Sequence, residues 1–121
     1  MSFPKVEHFK ASEFDSPDQK GSGENMDPAF IRKLEKVRQI VGRPLKINSG
    51  YRTVAHNKKV GGKPKSEHRK GLGADIDCRA SQKRLAIIEA AVKVKITRIG
   101  IGKTFVHLGA SKVLPQCLWL Y

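Results

Sequence analysis

Acidic residues are scarce over most of this sequence. Residues 31–121 hold five Asp/Glu against 21 Lys/Arg, a balance of +16. Residues 1–30 carry six acids and three lysines, a balance of −3, and the whole chain has a formal charge of +13. So basic a surface attracts polyanions and speeds their approach. Charge alone does not choose among nucleic acid, anionic cell-wall polymers and lipopolysaccharide phosphates. There is no helix-turn-helix pattern and no interleaving of basic and aromatic residues, so nucleic acid is not an expected partner.

Cysteine is also rare. Cys78 and Cys117 are the only two, too few for a disulfide framework, and both are expected as reduced, part-buried thiols. No apolar run approaches the roughly 20 residues that cross a bilayer, so membrane insertion is not expected. Residues 1–7 lack the apolar stretch of a secretory leader. The expectation is synthesis in the cytoplasm, with any work outside needing another route of release.

The chain has 121 residues, of which 39% are hydrophobic. That suits one folded domain over residues 1–121, with a single core. Residues 1–26 read as an irregular segment anchored by Phe9 and Phe14. Asp27-Pro28 opens a helix, an N-cap followed by proline at the first helical position. Phe30, Ile31, Leu34, Val37, Ile40 and Val41 recur at helical spacing, and Gly42 stops the run. Residues 44–49 alternate like a strand, 53–60 read as a short helix, and 63–73 as a polar loop. A strand is expected over 74–78. A helix capped by Ser81 should follow to about Val92, with Leu85, Ile88 and Ala91 inward. Three short strands complete the chain, near 98–101, 105–108 and 118–121. This order predicts an α+β fold, a small antiparallel sheet with helices packed on it.

The chemistry concentrates in Ser66-Glu67-His68-Arg69-Lys70-Gly71-Leu72-Gly73-Ala74-Asp75. His68 sits in a loop, Asp75 on the strand after it, and the glycines between let the two converge. His107 lies among Phe105, Val106 and Leu108, and strand alternation points it away from its apolar neighbours. Two imidazoles and a carboxylate suit zinc, with a fourth position left for water. A histidine between Val and Leu also serves well as a hydrogen-bonded structural residue, so spacing alone leaves both readings open.

This segment resembles the Ser-x-His-x-x-Gly-x-Ala-x-Asp signature of the zinc D,D-carboxypeptidases and phage endolysin peptidases, the M15 peptidase family. Ser49-Gly50-Tyr51-Arg52, Asn57, Val60-Gly61-Gly62, Gly100-Ile101-Gly102, Phe105-Val106-His107 and residues 115–121 resemble its short, single-domain branch in the same order. The likeness covers roughly residues 7–121. It implies a fold like that of the Hedgehog/D,D-peptidase group, with Zn2+ held by His68, Asp75 and His107. Ser66 would support the ligand loop and the substrate side. Arg52 would hold substrate or polarise its carbonyl, the alternative being a surface salt bridge.

Two departures stand out. The alanine of the signature is Gly73. Larger relatives carry an acid three residues before the last histidine, and short ones an Asp two residues after it; these positions are Thr104 and Gly109. Zinc-acidified water still needs a group to move its proton. Asp77, which alternates onto the face of Asp75, and Glu67, beside a ligand, are the available substitutes, though either also suits a supporting or surface role. The resemblance implies a peptidase acting on peptidoglycan stem peptides, as carboxypeptidase or endopeptidase. It would be a phage lysis enzyme or a virion-associated one, with anionic wall polymers or other virion proteins as partners. The missing acids leave a second reading, a non-catalytic zinc-stabilised module of a virion.

Overall fold

The structure, a computed structural model, describes residues 3–121. Met1 and Ser2, which open the expected irregular N-terminal segment, lie outside the described residues.

Helix α1 spans Pro28–Val41. The Asp27 carboxylate accepts from Phe30 N, and Gly42 closes the helix in the left-handed conformation, which glycine adopts without a Cβ penalty. Strand β1 is Ile47–Ser49, helix α2 is Val54–Lys59, strand β2 is Gly73–Asp77, helix α3 is Ser81–Lys93, and strands β3, β4 and β5 are Arg98–Ile101, Phe105–Gly109 and Leu118–Leu120. The loop expected over 63–73 contains a 3-10 turn at Glu67–Lys70.

The five strands form one sheet in the order β1-β2-β4-β3-β5. Three of the four pairings are antiparallel. The exception is β3 with β5, which is parallel. The connection 110–117 carries the chain from the end of β4 past the start of β3 to the sheet edge, so β5 runs in the same direction as β3. The sheet is thus antiparallel as the element order predicts, apart from this one edge pair.

Alternation along the strands divides the sheet into two faces. Ala74, Ile76, Ile99, Val106 and Leu108 join Ile31, Leu34, Val37, Ile87, Ala90 and Ala91 in the core. The core stripe of α3 is thus Ile87, Ala90 and Ala91, not the expected Leu85, which is exposed. Two apolar stripes fit the helical period here, and the small alanines let α3 approach α1 closely. Nor does Ser81 cap α3: the N-cap is Ala80, without a side-chain hydrogen bond.

The N-terminal segment makes two 3-10 turns, Ala11–Phe14 and Ser22–Asn25. Phe9 and Phe14 are buried, their rings meeting edge-on at 5.6 Å. The segment also braces the loop after β1. Tyr51 N donates to Phe14 O at 2.9 Å, Thr53 N to Ser16 Oγ at 3.2 Å, and Thr53 Oγ1 to Asp18 Oδ2 at 2.6 Å. Arg52 is therefore held on both sides in sequence. Both cysteines are free, but Cys117 is exposed rather than part-buried.

Candidate metal centre

The other face of the sheet carries one transverse file of residues. Ser49 pairs with Asp75, Asp75 with His107, His107 with Gly100, and Gly100 with Trp119. Cross-strand partners project to the same side, so this register alone brings Asp75 and His107 together. His107 Nδ1 lies 2.8 Å from Asp75 Oδ1.

His68 comes from the 3-10 turn that crosses this face. Ser66 caps the turn, its Oγ accepting from His68 N at 3.2 Å, and Gly71 ends it in the left-handed region. His68 Nδ1 is 2.8 Å from Gly50 O. A carbonyl only accepts, so Nδ1 carries a proton, and Nε2 is the nitrogen left for a metal. That Nε2 lies 3.3 Å from Asp75 Oδ1. One donor atom from each of His68, Asp75 and His107 falls within 4.8 Å of the others. Two nitrogens and an oxygen, all from buried side chains, make a set that fits a divalent transition metal, and zinc in particular. A second such group, Glu7, His8 and Glu35, is closed on itself: Glu35 accepts from His8 N, pairs with His8 Nδ1 at 2.6 Å, and accepts from Gln39.

The charges in the trio hold one another. Burial acts to raise the Asp75 carboxyl, but hydrogen bonds from His107 and His68 outweigh it and keep the group well below the usual carboxylate range. Burial acts to lower His107, yet its bonds to Asp75 and Glu67 leave it raised.

Arg52 is not a surface salt-bridge residue. Its guanidinium reaches Asp75 Oδ2 at 3.6 Å, and it donates to Ser49 Oγ and Asn57 Oδ1. Asn57 in turn donates to Lys63 O at 2.9 Å. A Cβ on Gly62 would overlap the Asn57 side chain, so the Asn and Gly-Gly elements form one brace for the arginine. Arg52, Gly62 and the trio line a cleft of roughly 570 Å³ that also takes in Ser66, Lys63, Lys65, Trp119 and Tyr121. Trp119 packs 5.6 Å from the His107 ring, with Arg98 over its own ring at 4.8 Å.

The two proposed proton carriers are placed otherwise. Asp77 is exposed and lines a separate cleft with Arg43, Lys46 and Lys83. It shares a face with Asp75, but two residues of strand carry it roughly 6–7 Å further along, to the end of β2. Glu67 is 3% exposed and lies behind His107. Its oxygens meet His107 Nε2 at 2.8 Å, Ser111 N at 2.8 Å and Arg98 Nε at 3.0 Å. Sequence reasoning did not find Arg98 or Ser111, since both lie far from Glu67 in the chain. Thr104 and Gly109 supply no acid, and among the described residues the only carboxylates lining the cleft are Glu67 and Asp75.

A family model described as Peptidase M15 aligns with residues 7–109. No curated protein matches the chain.

Proposed function

The chain belongs to the peptidase M15 family, and on that premise we propose that it is a zinc-dependent peptidase acting on the stem peptides of peptidoglycan. One observation carries this reading. Donor atoms of His68, Asp75 and His107, drawn from a loop and two strands, meet within 4.8 Å on the floor of an open cleft. Zinc held there would polarise a scissile carbonyl and acidify water beside it. The chain's own residues supply the rest. Gly50 O fixes the His68 tautomer. Arg52, braced by Ser49 and Asn57, presents a planar fork of donors to substrate carboxylate or carbonyl oxygen. Trp119 and Tyr121 offer flat apolar surface for the peptide, and Lys63 and Lys65 at the rim favour an anionic wall. Basicity and small size support action as a phage lysis enzyme or a virion-borne one, reaching the wall after release.

The test is digestion of purified sacculi by the zinc-loaded protein, with released amino termini counted and muropeptides separated. New termini at one class of peptide bond are expected. Stoichiometric zinc without any release would contradict the reading.

A second reading is favoured by a specific observation: neither cleft-lining carboxylate is free to carry a proton. Asp75 belongs to the metal trio, and Glu67 is occupied by hydrogen bonds with His107 Nε2 and Ser111 N and by the charge of Arg98. On that reading the chain is a zinc-stabilised binding module of a virion. His68→Ala should then unfold it, whereas a folded but inactive variant supports the enzyme.

A further inference from the structure

Gly73 and Gly109 are two of the positions where this chain departs from the signature around its histidines and aspartate, and they face each other. The register of β2 and β4 makes them direct cross-strand partners. Both are cleared for a single side chain. A Cβ on Gly109 would overlap the carboxylate of Glu67. A Cβ on Gly73 would come within 2.9 Å of Glu67 Cβ and 2.9 Å of His107 Cε1. Glu67 thus fills the volume that side chains at both positions would claim.

What the carboxylate does there follows from its partners. A carboxylate only accepts. At 2.8 Å from His107 Nε2, it holds a proton on that nitrogen, so Nδ1, which faces Asp75 at 2.8 Å, is the nitrogen left for a metal. The buried charge is compensated by Arg98 Nε and Ser111 N, without which burial would be costly. Both oxygens are engaged, and they sit on the side of the ring away from the trio.

We propose that Glu67 is the positioning residue of His107, and that it can occupy this place only because positions 73 and 109 are glycine. The proposal rests on the zinc site described above, but not on hydrolysis.

The test compares zinc dissociation constants, by chelator competition, for the wild type, Glu67→Ala and the double variant Glu67→Ala/Gly109→Asp. It adds nitrogen-15 histidine spectra of the zinc-loaded wild type. Outer carboxylates of this kind are worth about 10–100-fold in metal affinity, and Glu67→Ala should weaken zinc by that factor. The double variant, with an acid returned to the vacated volume, should regain most of it. In the spectra, His107 should carry metal on Nδ1 and a slowly exchanging proton on Nε2. Unchanged affinity in Glu67→Ala, or zinc on Nε2, would overturn the proposal. Should Glu67→Ala fail to fold, the wild-type spectrum decides alone. Inactivity on sacculi alongside these results would remove the peptidase reading and leave the role of Glu67 standing.

Discussion

Asp75 and His107 are cross-strand partners on β2 and β4, and their side chains meet at 2.8 Å. Segments 32 residues apart are thereby fixed relative to each other by backbone pairing. Only His68 is delivered by a loop, and that loop is capped by Ser66 and anchored to Gly50 O. A site built mainly on strands is held more tightly than one built on loops.

The first prediction concerns this pair. Asp75→Ala removes a metal ligand and leaves His107 and His68 without their shared acceptor. Breaking a buried ionic pair costs about 3–5 kcal/mol. Urea denaturation of the metal-free variant should show a loss at the lower end of that range, because Asp75 keeps some exposure. Zinc should no longer raise the variant's midpoint.

A second prediction is a pH window for the metal-free protein. The Asp75 and Glu67 carboxyls are lowered in the folded state, so their stabilisation is present above the unfolded carboxylate value of about 4. It is lost as pH falls through the folded values. His107 is raised, so its contribution is fully present below about 6.5 and fades as pH rises through the folded value. Thermal midpoints across pH should therefore peak between about 4.5 and 6.5. A steady rise from pH 6.5 to 9 without zinc would contradict the assignment.

Arg52 should matter to turnover more than to metal. Removing a donor aimed at developing negative charge costs about 10²–10³ in rate. Arg52→Ala should lower kcat/KM on muropeptides by that order while zinc stoichiometry stays the same. Arg52→Lys should recover little, because a point charge does not reproduce a planar fork. A parallel loss of zinc would assign Arg52 a structural role instead.

Two substitutions on α3 separate the packing observed from the packing read in the sequence. Ile87 is buried, and Ile87→Ala should cost about 2–5 kcal/mol. Leu85 is 58% exposed, and Leu85→Ala should change stability by no more than about 0.5 kcal/mol. Denaturant midpoints measured side by side decide between the two faces of α3.

Much of this arrangement is legible in the amino-acid order, for identifiable reasons. Helix α1 is bounded by local chemistry, Asp27-Pro28 at one end and Gly42 at the other, and local chemistry is what a sequence displays. The strands reveal themselves by alternation, and alternation puts Asp75 and His107 on the face away from Ile76 and Val106. The burial of Glu67 is not legible that way. It depends on Gly73 meeting Gly109 across two strands and on Arg98 and Ser111 arriving from elsewhere, all of them non-local. Asp77 misleads for the converse reason: period two fixes the face but not the distance along the strand. The inward face of α3 is legible only in part: Ala91 is buried and Ile88 packs against the core as read, but Leu85, at the same helical spacing, is exposed while Ile87 and Ala90 join the core.

The central claim is that three side chains share one metal ion, and zinc X-ray absorption on the loaded protein tests it most directly. The account predicts one zinc per chain in a shell of nitrogen and oxygen near 2.0–2.1 Å, with imidazole scattering that diminishes in His107→Ala. A sulfur shell near 2.3 Å, implicating Cys78 or Cys117, or failure to retain zinc through dialysis, would contradict it.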